Sequence, residues 1–358
     1  MRSLSCFEGM RRKAFDIIRR EETGKHELKS ILWECTLRCN LSCGHCGSDC
    51  KKVCDVPDAD EKLFFSALQD IKTRYDSSKV FIGITGGEPL MRSDLESIIS
   101  TVRSMGFRVG IVTNGFAMTP RRFLALVQAG LCSMTVSLDG LEDQHNALRG
   151  NPDSFGHAMT AIGNAASFIR QSKTPFDFDV VTCVNPGNIG TLSRLQSLLW
   201  ENGVRHWRLF SIFPSGRACD ERFNLDQDSF REMMDFIAQC RKRNLDVSYS
   251  CEGWLGSYEL KVRPTYYFCR AGITNAGIFV DGRVGGCISA RSPDFIAGDL
   301  KEKSFLDIWD NGFGVLRDRS WAKKGNCATC PDWKHCLGNG LHLYKDISSG
   351  PARCSRMS

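Results

Sequence analysis

Three cysteines, Cys39, Cys43 and Cys46, fall close together just after a short apolar run that contains Ile31 and Trp33. Thiolates at that spacing can hold three irons of a 4Fe-4S cluster and leave the fourth iron without a protein ligand, an open position where chemistry can occur. Zinc prefers four ligands at paired spacings, which gaps of three and then two residues do not provide. A disulfide framework suits a small secreted chain, whereas 18 cysteines in 358 residues lie well below scaffold density. Further on, Gly86, Gly87, Glu88 and Pro89 form a strand-to-helix turn signal in which the two glycines permit close backbone approach and Glu88 offers an acceptor.

The elements that must position these residues alternate regularly. Strand candidates are Ile31 to Trp33, Val80 to Ile84, Arg108 to Val112, Ser133 to Leu138, Phe176 to Cys183 and Trp207 to Ile212. Between them, Phe64, Leu68, Ile71 and Tyr75 mark one helical face. Ser93 and Glu96 read as a capping box before a helix ending at Gly106, and Thr119-Pro120 open another that ends at Gly130. Six strand-helix alternations imply parallel strands with crossover helices, hence an α/β barrel or an open sheet. After Arg217 a helix-like segment, Asp226 to Arg243, leads to Asp246 to Ser250 and then to a second cysteine-rich region. There Asp281-Gly282 reads as the turn of a hairpin around Ile278 to Val284.

With 42% hydrophobic residues the chain can bury a substantial core. The segment Met1 to Arg20 is basic and helix-like but lacks an apolar signal core, and no apolar run reaches membrane-spanning length, so no membrane association and a cytoplasmic location are expected. The net charge of +6 is spread along the chain, with Arg11, Arg12, Arg19 and Arg20 as its densest group. They read as a face of an amphipathic helix rather than a nucleic-acid-binding arm.

The cysteine triplet followed by Gly86-Gly87-Glu88-Pro89 resembles the radical S-adenosylmethionine (radical SAM) enzymes. The resemblance implies an α/β fold, a partial (β/α)6 TIM-like barrel, whose site lies at the C-terminal ends of the strands. It implies a 4Fe-4S cluster on Cys39, Cys43 and Cys46 that binds S-adenosylmethionine through its open iron. Gly86, Gly87 and Glu88 would then serve the methionine end of that cofactor, His45 the adenine, Ser137 the ribose, and Arg149 the methionine carboxylate, with Asn114 a weaker match. Cys50 and Cys54 receive no role.

The C-terminal cysteines resemble the SPASM domain, which carries auxiliary iron-sulfur clusters. Cys269, Gly282 and Cys287 match its opening, and Cys327, Cys330, Cys336 and Cys354 match the four ligands of one auxiliary 4Fe-4S cluster. The shared seventh cysteine is Gly340 here, which puts a second auxiliary cluster in doubt unless Cys251 contributes. Zinc on the same four cysteines is the competing reading. The expected partition is a helical extension over 1–28, the barrel over 29–220, a connecting segment over 221–265 and a SPASM-like domain over 266–358.

The resemblance implies an enzyme that modifies a peptide or protein side chain after hydrogen abstraction. A sugar or alcohol dehydrogenase and a non-catalytic cluster- or zinc-binding regulator are the alternatives. A flavodoxin- or ferredoxin-like protein would supply electrons. Only about thirty residues precede the first strand, too few for an independent leader-binding domain, so recognition would fall to the barrel, the C-terminal domain or a separate leader-peptide-binding protein. Sulfatase-maturing members carry Asp after the cysteine matching Cys287, where this chain has Ile288, which disfavours that activity.

Overall fold

The computed structural model describes residues 6–250 and 253–354. Helix α1 (Cys6–Lys25) precedes β1 (Ser30–Thr36), and regular alternation follows: α2 (Glu61–Lys72), β2 (Phe81–Gly86), α3 (Leu95–Ser104), β3 (Arg108–Thr113), α4 (Pro120–Ala129) and β4 (Ser133–Ser137). Two helices, α5 (Glu142–Arg149) and α6 (Ser154–Gln171), lead to β5 (Asp177–Val184), α7 (Leu192–Glu201) and β6 (His206–Ser211). Each of the six strands pairs in parallel with the next, so the expected α/β architecture is present.

The apolar pattern explains the packing. Phe64, Ala67, Leu68 and Ile71 form the buried face of α2, and Phe64 stacks on Trp33 of β1 with ring centroids 4.0 Å apart. Thr119 caps α4 by accepting from the Arg122 amide, and Gly130 ends that helix at a left-handed φ of 109°. The capping box expected at Ser93 and Glu96 does not form. Asp94 takes the cap position without a side-chain cap bond, because its carboxylate is held by Arg92 and that of Glu96 by Arg122.

The sheet extends beyond six strands. Helix α8 (Gln227–Lys242) returns to β7 (Asp246–Tyr249), which adds a seventh parallel strand beside β6. On the opposite edge, β8 (Asn275–Ile278) pairs in parallel with β1 from Ser30↔Asn275 to Trp33↔Ile278. Strands β9 (Arg283–Gly285) and β10 (Ile296–Asp299) continue antiparallel, which gives ten strands in the order β10-β9-β8-β1-β2-β3-β4-β5-β6-β7. In the β8–β9 turn only Gly282 takes a positive φ, 93°, while the Asp281 carboxylate accepts from the Arg283 amide. Short helices α9 (Phe305–Asn311), α10 (Gly314–Arg317) and α11 (Trp333–Cys336) complete the C-terminal part.

Two buried contacts fasten later segments of the chain to β1 and to α1. Glu34 of β1, fully buried, pairs with Arg291 and accepts from the Val280 amide at 3.3 Å. Arg12 of α1 lies over the Trp254 ring at 4.4 Å and the Tyr266 ring at 4.8 Å. Arg12 and Arg19 are therefore packed into the protein, which removes both from the basic group noted in the sequence. Among the described residues no helix is long and apolar enough to cross a membrane.

Candidate active site

Cys39, Cys43 and Cys46 lie in the loop that leaves the C-terminal end of β1. Cys39 and Cys43 are buried with Leu41 and Cys50, against Leu37, Phe116 and Cys46. An N–H group meets each of the three sulfurs: Asn114 Nδ2 at 3.8 Å from Cys39, Arg149 Nη1 at 3.7 Å from Cys43, and the Cys50 amide at 3.4 Å from Cys46. Arg217 fastens the loop, its Nε donating to the Cys43 carbonyl at 2.8 Å and its amide to the Cys46 carbonyl at 3.0 Å. Sequence reasoning missed Arg217, whose contacts span the whole barrel. Three thiols, each facing a donor in a mostly apolar setting, fit a cluster whose sulfurs carry charge, since N–H···S contacts offset that charge and tune its potential.

The glycine motif acts first on this loop. A side chain at Gly87 would overlap the Arg38 carbonyl, and one at Gly86, whose φ is 131°, would overlap the Thr36 carbonyl. The motif's backbone bonds in the same place, Gly87 N–H to Thr36 O at 2.7 Å and Glu88 N–H to Arg38 O at 2.9 Å. The small size of both glycines is thus needed to seat the start of the cysteine loop.

Glu88 likewise turns inward. Its buried carboxylate accepts from the Leu90 amide at 3.0 Å, Thr113 Oγ1 at 2.7 Å and the Asn114 amide at 2.7 Å. Burial nevertheless leaves its pKa above the ordinary carboxylate value, outweighing those donors. By fixing the end of β3, Glu88 aims Asn114 at Cys39.

Arg149 is engaged within the protein. Its Nε and Nη2 lie 2.7 and 2.6 Å from one carboxylate oxygen of Asp139, and its Nη1 reaches Cys43. The charge assigned to a cofactor carboxylate is therefore engaged by Asp139, which sits two residues beyond Ser137, the last residue of β4. Burial opposes the charge on Asp139, but Arg149, aided by His45, His145 and the Cys183 amide, holds its pKa below the usual range. His45 Nε2 lies 3.6 Å from Asp139. Burial pushes the imidazole down to about 4, so at neutral pH that contact is not an ion pair.

Arg149→Ala is expected to leave Asp139 as an unpaired buried charge and to cost about 3–5 kcal/mol. A thermal melt should show a lowered midpoint, and adding Asp139→Asn should restore part of it. An unchanged midpoint in the single variant would mean that the pair does not hold this corner together.

The C-terminal thiols form a second group. Cys327, Cys330 and Cys354 line a cavity of about 620 Å³, and Cys336 lies near enough to Cys354 and Cys327 for their charge to raise its pKa, after the larger effect of burial. Zinc bonds of about 2.3 Å would draw such sulfurs to roughly 3.8 Å apart. Among the described residues the only trio of potential ligands with atoms within 4.8 Å of one another is His45, Asp139 and Cys183, so no three of these four thiols lie that close together. The His45 trio itself suits a cation poorly, since Arg149 already holds its carboxylate.

Cys269 accepts from the Leu341 amide at 3.4 Å and lies close enough to Cys287 to influence its pKa. A side chain at Gly340 would fall 2.6 Å from the His342 ring and 3.2 Å from the Tyr267 hydroxyl, so the space for a cysteine there is taken. Cys251 lies outside the described residues.

A cavity of about 400 Å³ is lined by His45 and Gly47 of the cysteine loop, Cys183 of β5, Phe213 after β6, and Cys287 and His342 of the C-terminal part. It opens at the C-terminal strand ends, where barrels of this kind build their sites.

Two family models match the chain, one described as the radical SAM superfamily over residues 33–174 and one as an iron-sulfur cluster-binding domain, SPASM, over residues 269–331. The AdoMet-dependent heme synthase of Methanosarcina barkeri is 27% identical over 330 residues, covering 88% of this chain and 91% of that protein. The mycofactocin maturase MftC of Mycolicibacterium smegmatis is 28% identical over 318 residues, covering 86% and 76%. Among solved structures, Streptococcus suis SuiB bound to the precursor peptide SuiA superposes with a TM-score of 0.69 at 18% identity, covering 98% of this chain and 81% of that one.

Proposed function

The chain belongs to the SPASM-domain branch of the radical SAM superfamily, and from that premise we propose that it takes a hydrogen atom from a side chain of a peptide or protein and so modifies it. The cavity of about 400 Å³ between the cysteine loop and the C-terminal part carries this reading, because it is walled on one side by the loop and on the other by Cys287 and His342. The likeness to a maturase supports it.

Bound to Cys39, Cys43 and Cys46, the cluster with S-adenosylmethionine would supply the hydrogen-abstracting radical. The chain's residues orient and shield. Arg217, Asn114 and Arg149 hold the thiols in register, Gly86 and Gly87 seat the loop, and His45 and Ser137 would serve the adenine and the ribose. Phe213 and the buried C-terminal part keep water from the reacting carbon. One auxiliary 4Fe-4S cluster on Cys327, Cys330, Cys336 and Cys354, a flavodoxin- or ferredoxin-like donor and a separate leader-binding protein complete the proposal.

A second reading, heme synthesis, is favoured by the name shared by three of the relatives. The two separate by mass analysis of anaerobic reactions with S-adenosylmethionine, given either a peptide encoded beside the gene or a heme precursor. A mass change confined to the peptide is expected. A change confined to the heme precursor would replace the peptide reading with the second.

A further inference from the structure

Helix α1 precedes the alternating region, yet two of its arginines are buried, Arg12 at 4% exposure and Arg19 at 7%. Spacings of four and three residues place Arg12, Asp16 and Arg19 on one helical face. The Asp16 carboxylate lies 3.5 Å from Arg12 and 3.4 Å from Arg19, so one carboxylate serves both. Otherwise Arg12 is surrounded by rings, with Phe15, Trp254 and Tyr266 at 5.4, 4.4 and 4.8 Å. Among the described residues none of its three guanidinium nitrogens has a hydrogen-bond partner. Glu259, the other carboxyl near Arg12, is engaged by Arg263 at 3.8 Å. Three guanidiniums thus face two carboxylates in a largely buried place, where a cation lacking its counter-charge is costly.

A group able to complete that balance lies beside it. Arg19 Nη1 donates to the His335 carbonyl at 3.3 Å. His335 directly precedes Cys336, its ring lies 5.1 Å from that of Trp254, and the Trp254 amide bonds to the Cys336 sulfur. Helix α1 is therefore packed against the turn that carries one of the four C-terminal thiols. A 4Fe-4S group on four thiolates is an anion, and its potential responds to nearby charge.

We propose that Arg12 and Arg19 are counter-charges of the auxiliary cluster and raise its reduction potential from behind the Cys336 turn. The inference rests on the auxiliary cluster proposed above for Cys327, Cys330, Cys336 and Cys354. Reduction of that cluster takes one electron from the low-potential donor and no proton, so it adds one negative charge. Fixed cations nearby favour the reduced state over the oxidised one. Asp16 acts in the opposite direction, because it offsets the same two cations.

The test is a potentiometric titration of the fully reconstituted protein, with titanium(III) citrate as reductant and the reduced clusters followed by electron paramagnetic resonance. The cluster at Cys39, Cys43 and Cys46 is told apart by the change in its signal when S-adenosylmethionine is added. Arg12→Met keeps apolar packing over the rings without the charge. Combined with Arg19→Gln, it is expected to lower the ratio of reduced to oxidised auxiliary cluster at a fixed potential about tenfold, a negative shift of about 59 mV for one electron. Asp16→Asn is expected to shift the same midpoint the other way, which two lesions that merely loosened one helix would not do. If the double variant does not fold, Arg19→Gln alone carries the same comparison with Asp16→Asn. An unmoved auxiliary midpoint in the arginine variants, shifts of the same sign in these and in Asp16→Asn, or an equal shift at the other cluster would overturn the proposal. A wild-type protein with no second cluster signal would instead overturn the auxiliary cluster on which the proposal rests.

Discussion

Replacing Cys39, Cys43 and Cys46 together by Ala is expected to abolish 5′-deoxyadenosine formation by the anaerobically reduced protein while leaving about four irons bound. The three sulfurs are the only described thiols that combine a position at the end of β1 with N–H contacts from Asn114, Arg149 and the Cys50 amide. Cys50, buried beside them, has its amide committed to Cys46 and its carbonyl to Arg217, so it cannot replace three ligands at once. The measurement is product quantified by mass spectrometry alongside iron. Undiminished product in the triple variant would remove the basis for placing the radical chemistry at this loop.

The second large effect concerns the number of clusters. The intact protein is expected to hold about eight irons, and Cys327→Ala with Cys330→Ala about four fewer, on a count of four per cluster. The double variant Cys269→Ala with Cys287→Ala should keep its iron, since the space beside Gly340 is occupied by His342 and Tyr267. About twelve irons in the intact protein, falling by about four in that second variant, would show that another ligand completes a third cluster. Zinc in place of iron at the C-terminal thiols would overturn the auxiliary cluster proposed for Cys327, Cys330, Cys336 and Cys354.

The parts legible in the sequence were those whose meaning is local. The cysteine triplet, the glycine pair and the caps at Thr119 and Gly130 are read from neighbours a few residues away, and the six parallel strands from apolar runs with punctuation between them. What was not legible depends on partners distant in the chain. Nothing near Arg149 indicates that Asp139 and Cys43 will engage its guanidinium, and nothing near Glu88 indicates that its carboxylate will hold Asn114. The failed capping box at Ser93 is the same lesson in small, since Arg92 and Arg122 compete for the carboxylates. Strand β8 was read as one arm of a hairpin, and four residues beginning with Asn275 give no sign that their other edge completes β1.

That pairing has a consequence for how the protein comes to exist. During synthesis β1 emerges early, but its neighbour β8 and the Arg291 partner of its buried Glu34 are made only after the whole alternating region. Until then the strand that launches the cysteine loop has an open edge and an uncompensated carboxylate, the kind of exposed surface that invites mispairing between chains. The barrel is therefore ready for cluster loading only once β8 and Arg291 have been made, and a nascent chain halted before Asn275 would carry the three cysteines on an unfinished sheet.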